Sequence, residues 1–98
     1  MLKTYFPYKS DKPDKKFFII TSQGKRVYFG QAGASDMTQH KDPLKRDRYI
    51  QRHQKREDWT KSGINTSGFY SRWLLWEEPT IELAYKKLKK KLITWGII

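Results

Sequence analysis

The chain contains no cysteine, which excludes both a disulfide framework and a thiolate metal centre as supports for a small core. It has no apolar run near the roughly 20 residues that span a bilayer. Its opening, Met1-Leu2-Lys3-Thr4-Tyr5-Phe6, lacks the long apolar stretch of a secretory signal. A transmembrane or secreted protein is therefore not expected, and the expected setting is the interior of a cell. Acidic residues are scarce, 10 Asp plus Glu against 21 Lys plus Arg, which leaves a formal net charge of +11. Enzyme fingerprints are missing as well: there is no P-loop, no G-x-S-x-G elbow and no dinucleotide-binding glycine pattern. His40-Lys41-Asp42 lacks the spacing of phosphodiesterase motifs, which need one intervening residue between His and Lys and an Asp further along. Neither catalysis nor a cofactor is expected, with a metal-dependent nuclease the remote alternative.

What remains is short and rich in rings. Ninety-eight residues suffice for one domain. Only 37% of them are hydrophobic, yet 15% are aromatic, so a few large side chains must do most of the burying. Residues 1–42, 43–66 and 67–98 carry +4, +4 and +3, from eight, seven and six basic against four, three and three acidic residues. The positive charge is thus a property of the folded body and not of a detachable tail, and it points to polyanionic partners.

Lys16–Thr21 and Arg26–Gly30 are rich in strand formers and flank Ser22-Gln23-Gly24-Lys25, which predicts a β-hairpin. Residues 1–15 read as an extended lead, in which Tyr5, Phe6 and Tyr8 can add a third edge strand; residues 16–98 read as a single basic α+β domain. Asp42-Pro43 matches an N-cap followed by proline at the first helical position, and nothing between 43 and 58 breaks a helix. A second, short helix is predicted over 67–76, with Phe69, Trp73 and Trp76 at helical spacing and Pro79 beyond its end. Thr80 then caps a last helix, in which Ile81, Ala84, Tyr85, Leu88 and Leu92 share one face, and the apolar tail from Trp95 tucks in. The expected fold is α+β, an N-terminal hairpin packed by about three helices. Its expected core is Phe18, Ile20, Phe29, Tyr49, Ile50, Phe69, Trp73, Trp76, Tyr85 and Leu88.

His40, Asp42, His53, Glu57 and Asp36 are the residues nearest to a metal-ligand set, but their spacing matches no zinc pattern, so no metal site is expected. A His53–Glu57 pair one helical turn apart accounts for them as readily. The more informative run is the basic helix, where Arg46, Arg48, Arg52, Lys55 and Arg56 flank a narrow apolar stripe and can track a phosphate backbone. Lys86, Lys87 and Lys90 of the last helix add a second cationic patch. That helix needs its apolar face for the core, which argues against membrane binding. The tryptophans can stack on bases, but in so small a chain core duty is expected of them.

Phe29-Gly30, Ala34 to Asp42, Arg48-Tyr49, Arg52-His53, Arg56-Glu57, Trp59 and Ser67-Gly68-Phe69-Tyr70-Ser71-Arg72-Trp73-Leu74-Leu75-Trp76 together resemble a small uncharacterised basic domain family encoded by large double-stranded DNA viruses of eukaryotes. The likeness covers roughly residues 27–82. It implies viral origin and a place in the virion or the infected cell, and it carries no known activity. Nucleic acid, bound without sequence preference, and other virion proteins, as for a minor capsid component, are the expected partners.

Overall fold

Lys15–Ile20 concentrates β-branched and aromatic residues, and it forms the central strand (β2) of a three-stranded antiparallel sheet. Tyr8–Lys9 (β1) and Arg26–Gln31 (β3) lie on either side, so the third edge strand expected from the lead is present. These features come from a computed structural model that describes residues 2–98. Phe17 pairs with Phe29, Phe18 with Tyr28 and Ile19 with Val27. Because side chains alternate along a strand, Phe17, Ile19, Val27 and Phe29 meet the helices. The opposite face carries a ladder of rings, Tyr8 to Phe18 at 5.8 Å and Phe18 to Tyr28 at 5.4 Å. The Arg26 guanidinium lies 4.4 Å above Phe18. The expected grouping of Phe18, Ile20 and Phe29 therefore mixed two faces. Phe18 is buried outside the central cluster, and Ile20 is only half-buried, while Ile19 takes the core position. The lead contributes Tyr5, which is buried in the central cluster and donates its N–H to the Ile20 carbonyl at 2.8 Å.

Four α-helices follow among the described residues: α1 (Met37–His40), α2 (Pro43–His53), α3 (Ser67–Tyr70) and α4 (Ile81–Thr94), with a 3-10 turn at Lys61–Gly63. Asp42 caps α2 by accepting from the Leu44 N–H at 3.0 Å, with Pro43 at the first position, and Thr80 caps α4 through the Leu83 N–H at 3.3 Å. Both starts are those expected from the sequence. The short helix is different, because α3 runs on into a π-helical turn, Ser71–Leu75, closed by a Trp76 N–H to Ser71 carbonyl bond of 3.2 Å. A π turn sets residues five apart on one face. Phe69, Tyr70, Leu74 and Leu75 are all buried. Trp73 and Trp76, expected at the centre of the core, pack against it from the rim together with Tyr85.

The core is the space enclosed by Phe29, Ile19 and Val27 of the sheet, Phe69 to Leu75 of the widened helix, and Ala84, Leu88 and Leu92 of α4. Gly30 permits this close approach: its φ is +79°, and a Cβ there would stand 2.7 Å from Leu75 Cδ1. Ile50, assigned to the core from sequence, is half-buried, since α2 turns Tyr49 and not Ile50 inward. The α4 C-terminus is closed by bonds from the Ile97 N–H to Leu92 (2.9 Å) and the Gly96 N–H to Ile93 (3.0 Å), which fold the tail back onto the cluster. Among the described residues no helix is long and apolar enough to cross a membrane.

Leu74→Ala should cost about 2–5 kcal/mol, as expected for a leucine deleted from a closed core, whereas Leu83→Ala, at an exposed position of α4, should stay within about 0.5 kcal/mol of the parent. Urea melts of the two variants check this.

Candidate functional site

Along α2 the spacings of three and four residues place Lys45, Arg48, Tyr49, Arg52 and His53 on adjoining rows of one side. These residues line a cleft of about 730 Å³. Ser67, Gly68, Ser71, Leu75 and Trp76 form another wall, and Lys16, Gly30, Gln31 and the Ala34–Asp36 loop complete it. The cleft is organised around the Tyr49 ring, which stacks on Trp76 at 4.3 Å with 7° between planes and on His53 at 4.3 Å with 26°. Burial pushes the Tyr49 hydroxyl up, and the Glu57 carboxylate adds to the shift, so Tyr49 is neutral.

The helix expected to run to residue 58 stops at His53. Past it the chain turns, with both the Arg56 and the Glu57 N–H groups donating to the His53 carbonyl at 3.0 and 3.1 Å. This turn brings Glu57 to His53 Nδ1 at 3.2 Å and lets the Trp59 indole N–H donate to the same carboxylate at 3.0 Å. The expected His53–Glu57 pair is present, but it spans a turn and not a helix. A Cβ on Gly68 would lie 2.7 Å from the Glu57 carboxyl carbon, so a larger residue there would displace the Glu57 side chain. Lys55 and Arg56 are exposed in the turn, beyond the cleft.

The remaining candidates separate by their partners. Asp36 is buried and caps α1 through the Thr38 N–H at 2.9 Å; the Lys16 ammonium donates to it at 2.5 Å, and also to Gln39 and to the Ala34 carbonyl. His40 Nδ1 accepts from the Asp42 N–H at 3.0 Å. Among the described residues no three His, Asp or Glu side chains gather where a metal ion could be held. Arg46 donates to the Glu77 carbonyl at 3.3 Å, and Lys87 pairs with Glu77 at 2.9 Å and with Glu78 at 2.5 Å. Arg48, Arg52, Lys55, Arg56, Lys86 and Lys90 have no carboxylate partner among the described residues.

Lys45, Lys16 and Ser71 belong to the cleft but were not singled out from sequence. Lys45 was recoverable from its spacing of three and seven to Arg48 and Arg52; Lys16 and Ser71 were not, because the tertiary fold alone brings them there. Arg72 was missed too. Its guanidinium lies 4.5 Å from the Trp73 ring and 5.4 Å from the Trp59 ring and pairs with Glu77 at 2.8 Å.

The region from β1 to the end of α2 has a counterpart among known sequences. Residues 8–53 match a family of unknown function, DUF5754. The match takes in the sheet, α1 and the cationic helix, and it stops short of the widened turn. No curated protein and no solved structure matches the chain.

Burial acts to raise the Glu77 carboxyl, but hydrogen bonds from Arg72 and Lys87 outweigh it and hold Glu77 below the usual carboxylate range. A lowered native value means stability that is complete above the unfolded-state value and is lost as pH falls through the native one. The melting temperature of Glu77→Gln should therefore lie below the parent's at neutral pH. The gap should close on acidification from the ordinary glutamate range downward; thermal melts across a pH series check it.

Proposed function

We propose that this protein is a non-enzymatic basic module that binds polyanions, nucleic acid foremost, without marked sequence preference. The observation that carries the reading is the row Lys45, Arg48 and Arg52 on one face of α2, lining a cleft with no carboxylate paired to any of them among the described residues. Partnered cations elsewhere have structural work: Arg46, Arg72 and Lys87 hold Glu77, and Lys16 holds Asp36. A cation without a partner is ready to replace a phosphate's counterions, and an arginine fork suits phosphate oxygens. Lys55 and Arg56 extend the row beyond the helix, and Lys86 and Lys90, one turn apart and exposed on α4, offer a second patch.

A second reading, a structural virion protein such as a minor capsid or cement component, is favoured by the apolar residues left exposed along and after α4: Leu83, Ile93 and Ile98. Viral origin rests on the sequence resemblance, and it would put the protein in the virion or in the nucleus or cytoplasm of an infected cell. Mass spectrometry of purified virions tests this reading independently of nucleic-acid binding.

Affinity for a long duplex should fall steeply between low and physiological salt. Arg48→Gln combined with Arg52→Gln should keep the fold by circular dichroism, weaken binding alike on unrelated sequences, and reduce the salt slope by about one for each phosphate contact removed. Filter binding at several salt concentrations measures this. Affinity indifferent to salt would remove the reading, and a double variant that binds like the parent would move the site to Lys86 and Lys90.

A further inference from the structure

An open helix face is enough to track a phosphate backbone, yet here the cationic row lies in a concavity of about 730 Å³, within the range of small-molecule sites. Two carboxylates reach this cleft, and both are already satisfied, Asp36 by Lys16 at 2.5 Å and Glu57 by His53 at 3.2 Å and Trp59 at 3.0 Å. Lys45, Arg48 and Arg52 therefore leave the cleft with uncompensated positive charge. His40 also lines it. Its Nδ1 accepts from the Asp42 N–H, so the neutral ring carries its proton on Nε2. That Nε2 is buried and has no hydrogen-bond partner among the described residues. An atom so enclosed is out of a ligand's reach, so His40, packed 5.2 Å from the Trp76 ring, serves the cleft as part of its wall. The wall across from α2 adds the hydroxyl residues Ser67 and Ser71 and the half-buried indole of Trp76.

We propose that this cleft is a binding site for a single nucleoside monophosphate unit, either free or as the phosphorylated end of a strand. Arg48, Arg52 and Lys45 hold the phosphomonoester, the Ser71 hydroxyl donates to an oxygen of the ligand, and the base rests beside Trp76. The proposal rests on the reading of α2 as a phosphate-contacting surface and adds to it a discrete ligand that duplex binding does not require.

Titration of the full chain by calorimetry, with amide chemical shifts to place each ligand, tests it. The probes are the 5′- and 3′-monophosphates of deoxyadenosine, deoxyadenosine itself, inorganic phosphate, and short single strands with and without a terminal phosphate. The expected result is that a monophosphate binds at least about tenfold more tightly than either deoxyadenosine or inorganic phosphate. Its shifts should centre on His40, Arg48, Arg52 and Trp76, and Arg48→Gln with Arg52→Gln should cost a further tenfold or so. Ser71→Ala should weaken the monophosphate without changing duplex affinity; if that variant does not fold, the arginine pair carries the test alone. A preference for free monophosphate over end-phosphorylated strands assigns a small-molecule ligand, and the reverse preference assigns a strand end. Inorganic phosphate binding as tightly as the nucleotides, or shifts that avoid the cleft, overturns the proposal. If salt-sensitive duplex binding survives in that case, the polyanion reading stands without the cleft; if it is absent too, both fall.

Discussion

The helical layer meets the sheet through α3 and the widened turn that continues it, Ser71–Leu75, whose Phe69, Tyr70, Leu74 and Leu75 are all buried. A three-stranded sheet with one apolar face needs a cover. An ordinary helical pitch in this segment would bring Trp73 and not Leu74 onto the face of Phe69. The π turn admits two leucines to the centre and leaves Trp73 and Trp76 at the rim, still packed on the core. From that rim Trp76 stacks on Tyr49, and this stack, with Arg46 reaching the Glu77 carbonyl, fixes α2 in place. The orientation of the cationic row thus depends on a local irregularity two elements away. Irregular turns of this kind recur beside functional sites, and here Ser71 and Leu75, the two ends of the turn, both line the cleft.

Charge is divided by position. Half of the ten acidic side chains have a clear structural duty: Asp36 and Asp42 cap helices, Asp58 accepts from Thr60, Glu57 ties the turn after α2 to Trp59, and Glu77 gathers Arg72 and Lys87. With so few carboxylates held in this way, the cations without a carboxylate partner among the described residues include those on the exposed side of α2, in the turn after it and on the outer face of α4, as well as Lys3, Lys9, Lys15 and Lys25 in and around the sheet and Lys61. Such a surface has a low cost in stability, because isolated exposed charges interact weakly. It also favours attraction to polyanions over association between copies of the chain.

The parts of the fold that follow from local chemistry were legible in the chain. The hairpin followed from its strand formers and turn glycine, the starts of α2 and α4 from Asp42-Pro43 and Thr80, and the His53–Glu57 pair from a separation of four residues. What was misread depended on phase. A shift of one residue between strand faces exchanged Ile19 for Ile20 in the core, and a fifth residue in one helical turn exchanged Leu74 and Leu75 for Trp73 and Trp76. Hydrophobicity alone does not set that phase, since in both places apolar residues are adjacent and either assignment buries a large side chain.

The sequence by itself determined an α+β chain with a surplus of cations, helix starts encoded within three residues of each cap, and enough aromatic surface to close a small core. Each of these is a property of composition or of near neighbours, where the energies are local. Only the tertiary structure decided which cations are bound to carboxylates and which are free, and that Lys16, His40, Arg48, Arg52 and Ser71 meet around one cleft. The distinction between Arg46 and Arg48, two residues apart in one basic helix, is invisible in the chain. Helical pitch turns their side chains about 200° apart, and that rotation sends one to Glu77 and the other into the cleft.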